Sequence, residues 1–298
     1  MAKGRHGKPQ PKKGGFGAAP TKTKIVSEEA IFKRAPHTSN QGSSADSPLL
    51  LTLLFRDKAS QHSALARIES FYESSAVEGQ SNDANRFLTI DQAKSQKLCP
   101  NYEAFNCPIS AVNQWLGQMF KCPDLVIATP QKEEESSIDD STDQPKHTEK
   151  WWQTHCNEEE VELLSFLDFL GCLEDPANPI DKTTNGPQYL ITSLASQAAS
   201  SLPHERLHFL YFASKEYREY VESLYGSLSN KTRKIIETDL GMRGYAKHVW
   251  QDEFQAYVSL NAAEFGNPTK QECTPIKEEL QQKQKQLLIW KHINTTSV

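Results

Sequence analysis

The sequence lacks any hydrophobic run of the roughly 18 residues that a membrane-spanning helix requires. Its first residues also lack the apolar segment that is typical of a secretory signal. The most apolar window, SPLLLTLLF at residues 47–55, is short and internal, and it predicts a buried strand or the start of a core helix. We therefore expect an intracellular protein, cytoplasmic or nuclear, without membrane contact.

The six cysteines include no C-x-x-C pair, so the close spacing that marks zinc ribbons is missing. In an intracellular chain, such cysteines are expected to be reduced thiols rather than a disulfide framework. The net charge of −5 provides no overall field that would attract nucleic acid. Charge of one sign is instead concentrated in two segments.

The first of these segments, residues 1–24, carries seven basic residues and no acid. Glycine, proline and linker residues continue beyond it, so we predict a disordered basic tail over residues 1–46. The tail could make weak contacts with nucleic acid or an acidic partner, although Phe16 is its only aromatic residue before residue 25. The second segment is acidic, and it predicts a disordered loop or linker over residues 129–150.

The two remaining regions have the hydrophobic spacing of folded helices. Residues 47–128 contain HSALARIESFYES and CPISAVNQWLGQMF, whose apolar residues recur at helical spacing without any chemical motif. We interpret this region as a mostly helical scaffold or substrate-recognition region. Residues 151–298 contain further helices and one short predicted strand, QYLIT, at residues 188–192. The prediction is an α+β fold that is predominantly helical.

Capping residues predict several helix ends in the second region. Asn157, with Glu160 three residues later, forms a capping-box pattern before an apolar helix. Ser214 and Ser229 can cap the next two helices, and Gly241 is expected to end the second of them. Two prolines, at positions 203 and 275, suit first helical turns.

The stretch PHERLHFLYF at residues 203–212 contains the pattern H-E-x-x-H. On a helix, His204 and His208 lie on one face and can direct their imidazoles at a single ion. Zinc binds imidazole readily, and a catalytic zinc takes three protein ligands together with a water. Glu205 would then be placed to act as the general base. The alternative is that two histidines occur at this spacing by accident, so a third ligand is the requirement that separates the interpretations.

Two candidates for the third ligand follow on a later predicted helix. They are Glu253 and His248, about 40 to 45 residues beyond His208. Sequence spacing leaves the choice between them open.

With Glu253-Phe-Gln-Ala256 added, the pattern resembles the glutamate-zincin metallopeptidases, whose HExxH histidines are joined by a glutamate from an E-x-x-A motif. The resemblance covers about 70 residues, from Tyr189 to Val258. It implies a zincin-like catalytic region over residues 151–298, with one Zn²⁺ per chain held by His204, His208 and Glu253. It also implies a short sheet before the HExxH helix, with QYLIT as an edge strand to which an extended substrate adds.

The resemblance suggests further roles. Tyr257 is the expected catalytic hydrogen-bond donor to the oxyanion, with Tyr245 as the other candidate. A zinc-binding histidine usually donates its other ring N–H to a carboxylate, for which Asp252 and Asp239 are candidates. Arg206 departs from the family pattern, because an uncharged residue usually stands between the histidines.

The sequence thus predicts a zinc-dependent metallopeptidase that cleaves peptide or protein substrates through a metal-activated water. The alternative is a non-enzymatic helical interaction or scaffold protein, associated with nucleic acid through its basic tail. Stoichiometric zinc in the native protein is the property that separates these two hypotheses.

Overall fold

The computed structural model describes residues 25–27, 33–34, 49–73, 87–100, 102–125, 150–176 and 186–294. The strands formed by these residues are β1 (Ile25–Ser27), β2 (Lys33–Arg34), β3 (Leu49–Phe55), β4 (Ala104–Pro108) and β5 (Tyr189–Leu194). The helices that they form are α1 (Lys58–Glu73), α2 (Ile90–Lys94), α3 (Ile109–Lys121), α4 (Glu158–Phe169), α5 (Ala198–Ala213), α6 (Lys215–Ser227), α7 (Asn230–Arg243), α8 (Trp250–Leu260), α9 (Asn267–Gln286) and α10 (Leu288–Asn294). The fold is α+β and predominantly helical, as the sequence predicts.

One sheet joins the strands in the order β1-β3-β5-β4, and β2 also pairs with β3. β3 and β5 are parallel, whereas β4 and β5 are antiparallel. A strand from late in the chain is therefore inserted between two strands from the earlier part. Among the described strands, β4 forms one edge of the sheet.

The two faces of the sheet bury different hydrophobic cores. On β3, Leu50 and Leu54 belong to the core formed with helices α5 to α10. The alternating residues Leu51, Leu53 and Phe55 belong to the core formed with α1, α3 and α4. A strand covered on both faces is apolar at nearly every position, which explains the run LLLTLLF.

The position of the predicted strand QYLIT differs from expectation. It forms most of β5, but β5 lies between β3 and β4 and every one of its residues is buried. The prediction that QYLIT is an edge strand open to a substrate is therefore wrong. Because the pairing strand β4 lies about 80 residues earlier in the chain, local sequence could not reveal this order.

Helix α5 begins earlier than its sequence indicates. It starts at Ala198, so Pro203 lies inside the helix rather than in its first turn. A proline at this position has no N–H for the carbonyl four residues earlier, a cost that tertiary packing must offset. Leu202 and Leu207, on either side of the proline, are both buried. His204 is thus held within a continuous helix.

Most other predicted helix ends are confirmed. Asn157 and Glu160 form the capping box of α4, with hydrogen bonds of 2.8 and 2.9 Å. Ser214 and Ser229 cap α6 and α7. Helix α7 ends at Arg243 and is capped by Gly244, whose φ of 95° suits glycine, so the predicted end at Gly241 is wrong. Helix α9 starts at Asn267, so Pro275 lies inside it.

Several predictions concern segments that are only partly described. β1 and β2 lie within residues 1–46, which the sequence assigns to a disordered tail, and the rest of that range before Leu49 is outside the described residues. The basic segment 1–24 and residues 129–149 also lie outside them. All six cysteines are described, and each is a free thiol. Within the described part of the chain, no helix is both long and apolar enough to cross a bilayer.

Candidate metal centre

Helices α5 and α8 pack against each other and together supply the candidate site. His204 and His208 lie one turn apart on α5, and Glu253 lies in the first turn of α8. Ala256, one turn after Glu253 on α8, is fully buried. The Gln255 side chain donates a hydrogen bond of 3.2 Å to the carbonyl of Leu207, which fixes the two helices in register.

The three side chains converge on one point. The Nε2 atoms of His204 and His208 are 3.1 Å apart, and Glu253 Oε1 lies 3.7 Å from His208 Nε2. Zinc bonds of roughly 2.0 to 2.1 Å in a tetrahedron place neighbouring ligand atoms about 3.3 Å apart, close to both distances. Glu253 Oε2 is buried without a hydrogen-bond partner in the described structure. This group could therefore hold a metal ion.

The structure distinguishes between the two candidates for the third ligand. Glu253 faces the histidines, whereas His248 is exposed on the short 3₁₀ turn before α8. The His248 ring instead makes an edge contact with Tyr72, with 5.9 Å between ring centroids. Glu253 is the residue that completes the group.

Asp252 fixes the orientation of His208. The Nδ1 atom of His208 donates to Asp252 Oδ1 at 2.9 Å, so its Nε2 atom is the one that faces His204 and Glu253. The other candidate for this role, Asp239, pairs with Arg243 instead. Asp252 therefore holds the tautomer that metal binding requires.

The local charges favour a cation at His208. Burial lowers the pKa of His208, but Asp252 and Glu253 outweigh that effect and raise this pKa well above its ordinary value. A metal ion at Nε2 would satisfy the same carboxylates as a proton. At His204, burial and the neighbouring His208 lower the pKa well below the ordinary value, which leaves an imidazole lone pair free to bind metal.

Glu205 is buried beside the histidines and is held by a side chain of β4. Asn106 Nδ2 donates to Glu205 Oε2 at 2.9 Å, and the hydroxyl of Tyr189 donates to Asn106 Oδ1. Burial raises the pKa of Glu205 to about 7, against the lowering effects of His208 and the Asn106 hydrogen bond. A carboxyl group with this pKa can both accept and return a proton near neutral pH.

Tyr257 lies on the other side of the histidine pair. Its ring centroid is 4.7 Å from that of His204, and its hydroxyl is 3.0 Å from the hydroxyl of Tyr245. The guanidinium of Arg243 lies over the Tyr257 ring. Arg206, which departs from the family pattern between the two histidines, is half-buried and does not line the cavity around them.

One cavity of about 740 Å³ is lined by the three candidate ligands together with Glu205, Asn106, Tyr245 and Tyr257. Two glutamates of α1, Glu69 and Glu73, line it as well. Sequence reasoning missed this pair, because α1 belongs to a region without a chemical motif. The available signal was two acids at positions i and i+4 beside the apolar face of α1, a spacing that places both on one side of the helix.

We expect Asp252→Asn to weaken zinc binding by about 10- to 100-fold without unfolding the protein. Asparagine can donate to His208 Nδ1 through its amide, and this would favour the wrong tautomer. Competition with a fluorescent zinc chelator measures the affinity. Unchanged affinity would show that Asp252 does not orient His208.

Comparisons with protein-family models, curated proteins and solved structures found no match for this chain.

Proposed function

We propose that this chain is a zinc-dependent metallopeptidase. The observation that supports the proposal most strongly is the convergence of His204, His208 and Glu253 in a cavity where Glu205 is also buried. This arrangement has the composition of a glutamate-zincin centre, which the sequence motif resembles. Two imidazoles and a carboxylate are also the ligand set of zinc hydrolases that leave a fourth position for water.

The donor set fits zinc better than calcium or magnesium, which prefer oxygen ligands alone. Zinc bound here would supply Lewis-acid polarisation of the peptide carbonyl and would lower the pKa of a water ligand. The protein contributes an oriented set of ligands, of which His208 and Glu253 are buried. The hydrogen bond from His208 to Asp252 makes the imidazole more basic and therefore a stronger metal ligand.

Glu205 is the residue proposed to move the proton. It would take a proton from the attacking water and return it to the amine that leaves when the peptide bond breaks. Asn106 holds one of its carboxylate oxygens, so the other is left to contact the water. The oxygen that Asn106 does not hold is therefore the one proposed to exchange the proton.

Tyr257 and Tyr245 are proposed to stabilise the oxyanion that develops on the carbonyl. Their hydroxyls lie 3.0 Å apart, and both residues line the cavity. Burial raises the pKa of Tyr257 to about 12, so its hydroxyl remains a hydrogen-bond donor at neutral pH. Because Tyr257 lies against His204, its hydroxyl is the better placed of the two.

The test is metal analysis combined with peptide hydrolysis. We expect the purified full chain to contain one zinc and to cleave an unstructured peptide mixture. A chelator should abolish cleavage, and added zinc should restore it. His204→Ala should lose the zinc, whereas the matched control His248→Ala should keep it, because His248 is exposed outside the ligand group.

The alternative hypothesis, a non-enzymatic interaction or scaffold protein, makes the opposite prediction. It requires native protein without stoichiometric zinc, or zinc-loaded protein that cleaves none of the peptides. Either result would contradict the proposed peptidase activity.

A further inference from the structure

The wall of the cavity formed by α1 and β4 carries two buried carboxylates. Glu69 and Glu73 occupy the last turns of α1 and are only 1% and 3% exposed. Both line the cavity that contains His204, His208 and Glu253. Neither belongs to the three-ligand group.

The hydrogen bonds to these carboxylates are incomplete. The backbone N–H of Asn106 donates to Glu69, and the hydroxyl of Tyr102 donates to Glu73 Oε2 at 3.2 Å. Glu69 Oε2 is buried and has no donor among the described residues. The Glu73 side chain also hydrogen-bonds to Glu69, so this neighbour of Glu69 is a second acid and not a base. A buried carboxylate oxygen without a donor indicates a missing partner.

The lining of the cavity has more acidic than basic side chains. Its lining includes five glutamates, at positions 69, 73, 103, 205 and 253, but only one basic residue other than histidine. That residue, Arg243, already pairs with Asp239 and Glu264. Burial raises the pKa of Glu69 well above its ordinary value and that of Glu73 to about 8, so both carboxyl groups favour their protonated forms when no cation is beside them.

A purely structural role does not explain the pair. Burying two carboxylates side by side costs desolvation energy, and their mutual repulsion adds to that cost. An apolar residue at either position would extend the buried face of α1 that already contains Ile68 and Phe71. Costly buried groups of this kind are typical of binding sites.

We propose that Glu69 and Glu73 bind a positively charged group of the substrate, an ammonium or a guanidinium. The inference rests on the proposed function in taking that group to belong to a peptide. The occupant would place one donor at Glu69 Oε2 and would share its charge with Glu73. The chain would then cleave peptides that carry a cation close to the scissile bond.

The edge of strand β4 beside the cavity favours recognition of a substrate side chain or chain terminus over recognition of the substrate backbone. The outward-facing N–H of Asn106 on the edge strand β4 is already taken by Glu69. A substrate backbone therefore cannot accept a hydrogen bond from it, and strand addition is interrupted at this point. Charge pairing with the two glutamates supplies an interaction in its place.

The experiment measures binding of small probes to the zinc-loaded full chain by calorimetry. N-acetyl-lysinamide should bind at least about tenfold more tightly than N-acetyl-norleucinamide, which has a similar shape without the charge. Norleucinamide with a free amino group tests whether the cation can instead be a peptide N-terminus. Glu69→Gln and Glu73→Gln should each remove the preference for charge, whereas Glu103→Gln, the same change at an exposed position of the rim, should preserve it.

The outcomes separate this inference from the proposed function. Equal or undetectable binding of charged and neutral probes by the wild-type chain would overturn the inference, even if peptides were cleaved. This result does not depend on whether the variants fold. A preference unchanged in both glutamine variants would overturn it as well. A preference that depends on the two glutamates, in a protein that cleaves no peptide, would support the cation site and contradict the peptidase activity.

Discussion

Glu205→Gln is expected to keep one zinc per chain and to lose peptide hydrolysis by about 10²- to 10⁴-fold in kcat. Glutamine has nearly the same shape as glutamate and can still accept the hydrogen bond from Asn106. It cannot take a proton from water, so the proton transfer that Glu205 is proposed to perform would be lost. The substitution also removes a buried carboxylate, so we expect no loss of folding stability.

Zinc content by mass spectrometry of the native protein and initial rates on a peptide substrate measure the two properties together. The matched control is Glu222→Gln on α6, which makes the same chemical change at an exposed position. Full hydrolysis in zinc-loaded Glu205→Gln would show that another group acts as the base. Loss of zinc in that variant would instead show that Glu205 is needed to hold the zinc ligands in position.

Glu253→Gln is expected to weaken zinc binding more severely than the 10- to 100-fold expected when an outer carboxylate is removed. An amide oxygen is a much poorer zinc ligand than a carboxylate oxygen, and only two histidines would remain. Zinc at a thousand times its dissociation constant stabilises a folded protein by about 4 kcal/mol. Most of this stabilisation should disappear in the variant.

The measurement is the free energy of unfolding, obtained by denaturant titration with and without zinc. In the absence of zinc, Glu253→Gln should change the stability less than it changes the response to zinc, because burial raises the pKa of Glu253 well above its ordinary value and already favours a neutral side chain. Glu222→Gln again provides the control, and its response to zinc should match that of the wild type. An undiminished zinc response in Glu253→Gln would exclude Glu253 as a ligand.

The sequence predicted the features that depend on short spacing. Helical periodicity places His204 and His208 on one face, and local hydrogen bonding explains the caps at Asn157 and Ser214. The choice of Glu253 over His248 needed the structure, because the turn before α8 decides which side chain faces α5. The choice between Asp252 and Asp239 as the hydrogen-bond partner of His208 also needed the structure.

Features that depend on distant contacts were not predictable. The sequence QYLIT identifies a short strand but does not show which strands flank it. The start of α5 was misplaced because packing of residues on both sides of Pro203 outweighs the local preference of proline for a first turn. Glu69 and Glu73 were missed since their significance lies in facing a cavity whose other walls come from residues far along the chain.

The insertion of β5 between β3 and β4 has a consequence for the order in which the protein can become functional during synthesis. A growing chain that ends before Tyr189 contains both neighbouring strands but not the one that joins them. It also contains the acidic pair of α1 without any metal ligand. The candidate ligand group is complete only after Glu253 of α8 has been added. The proposed hydrolytic activity therefore cannot appear before both helices of the site have been made.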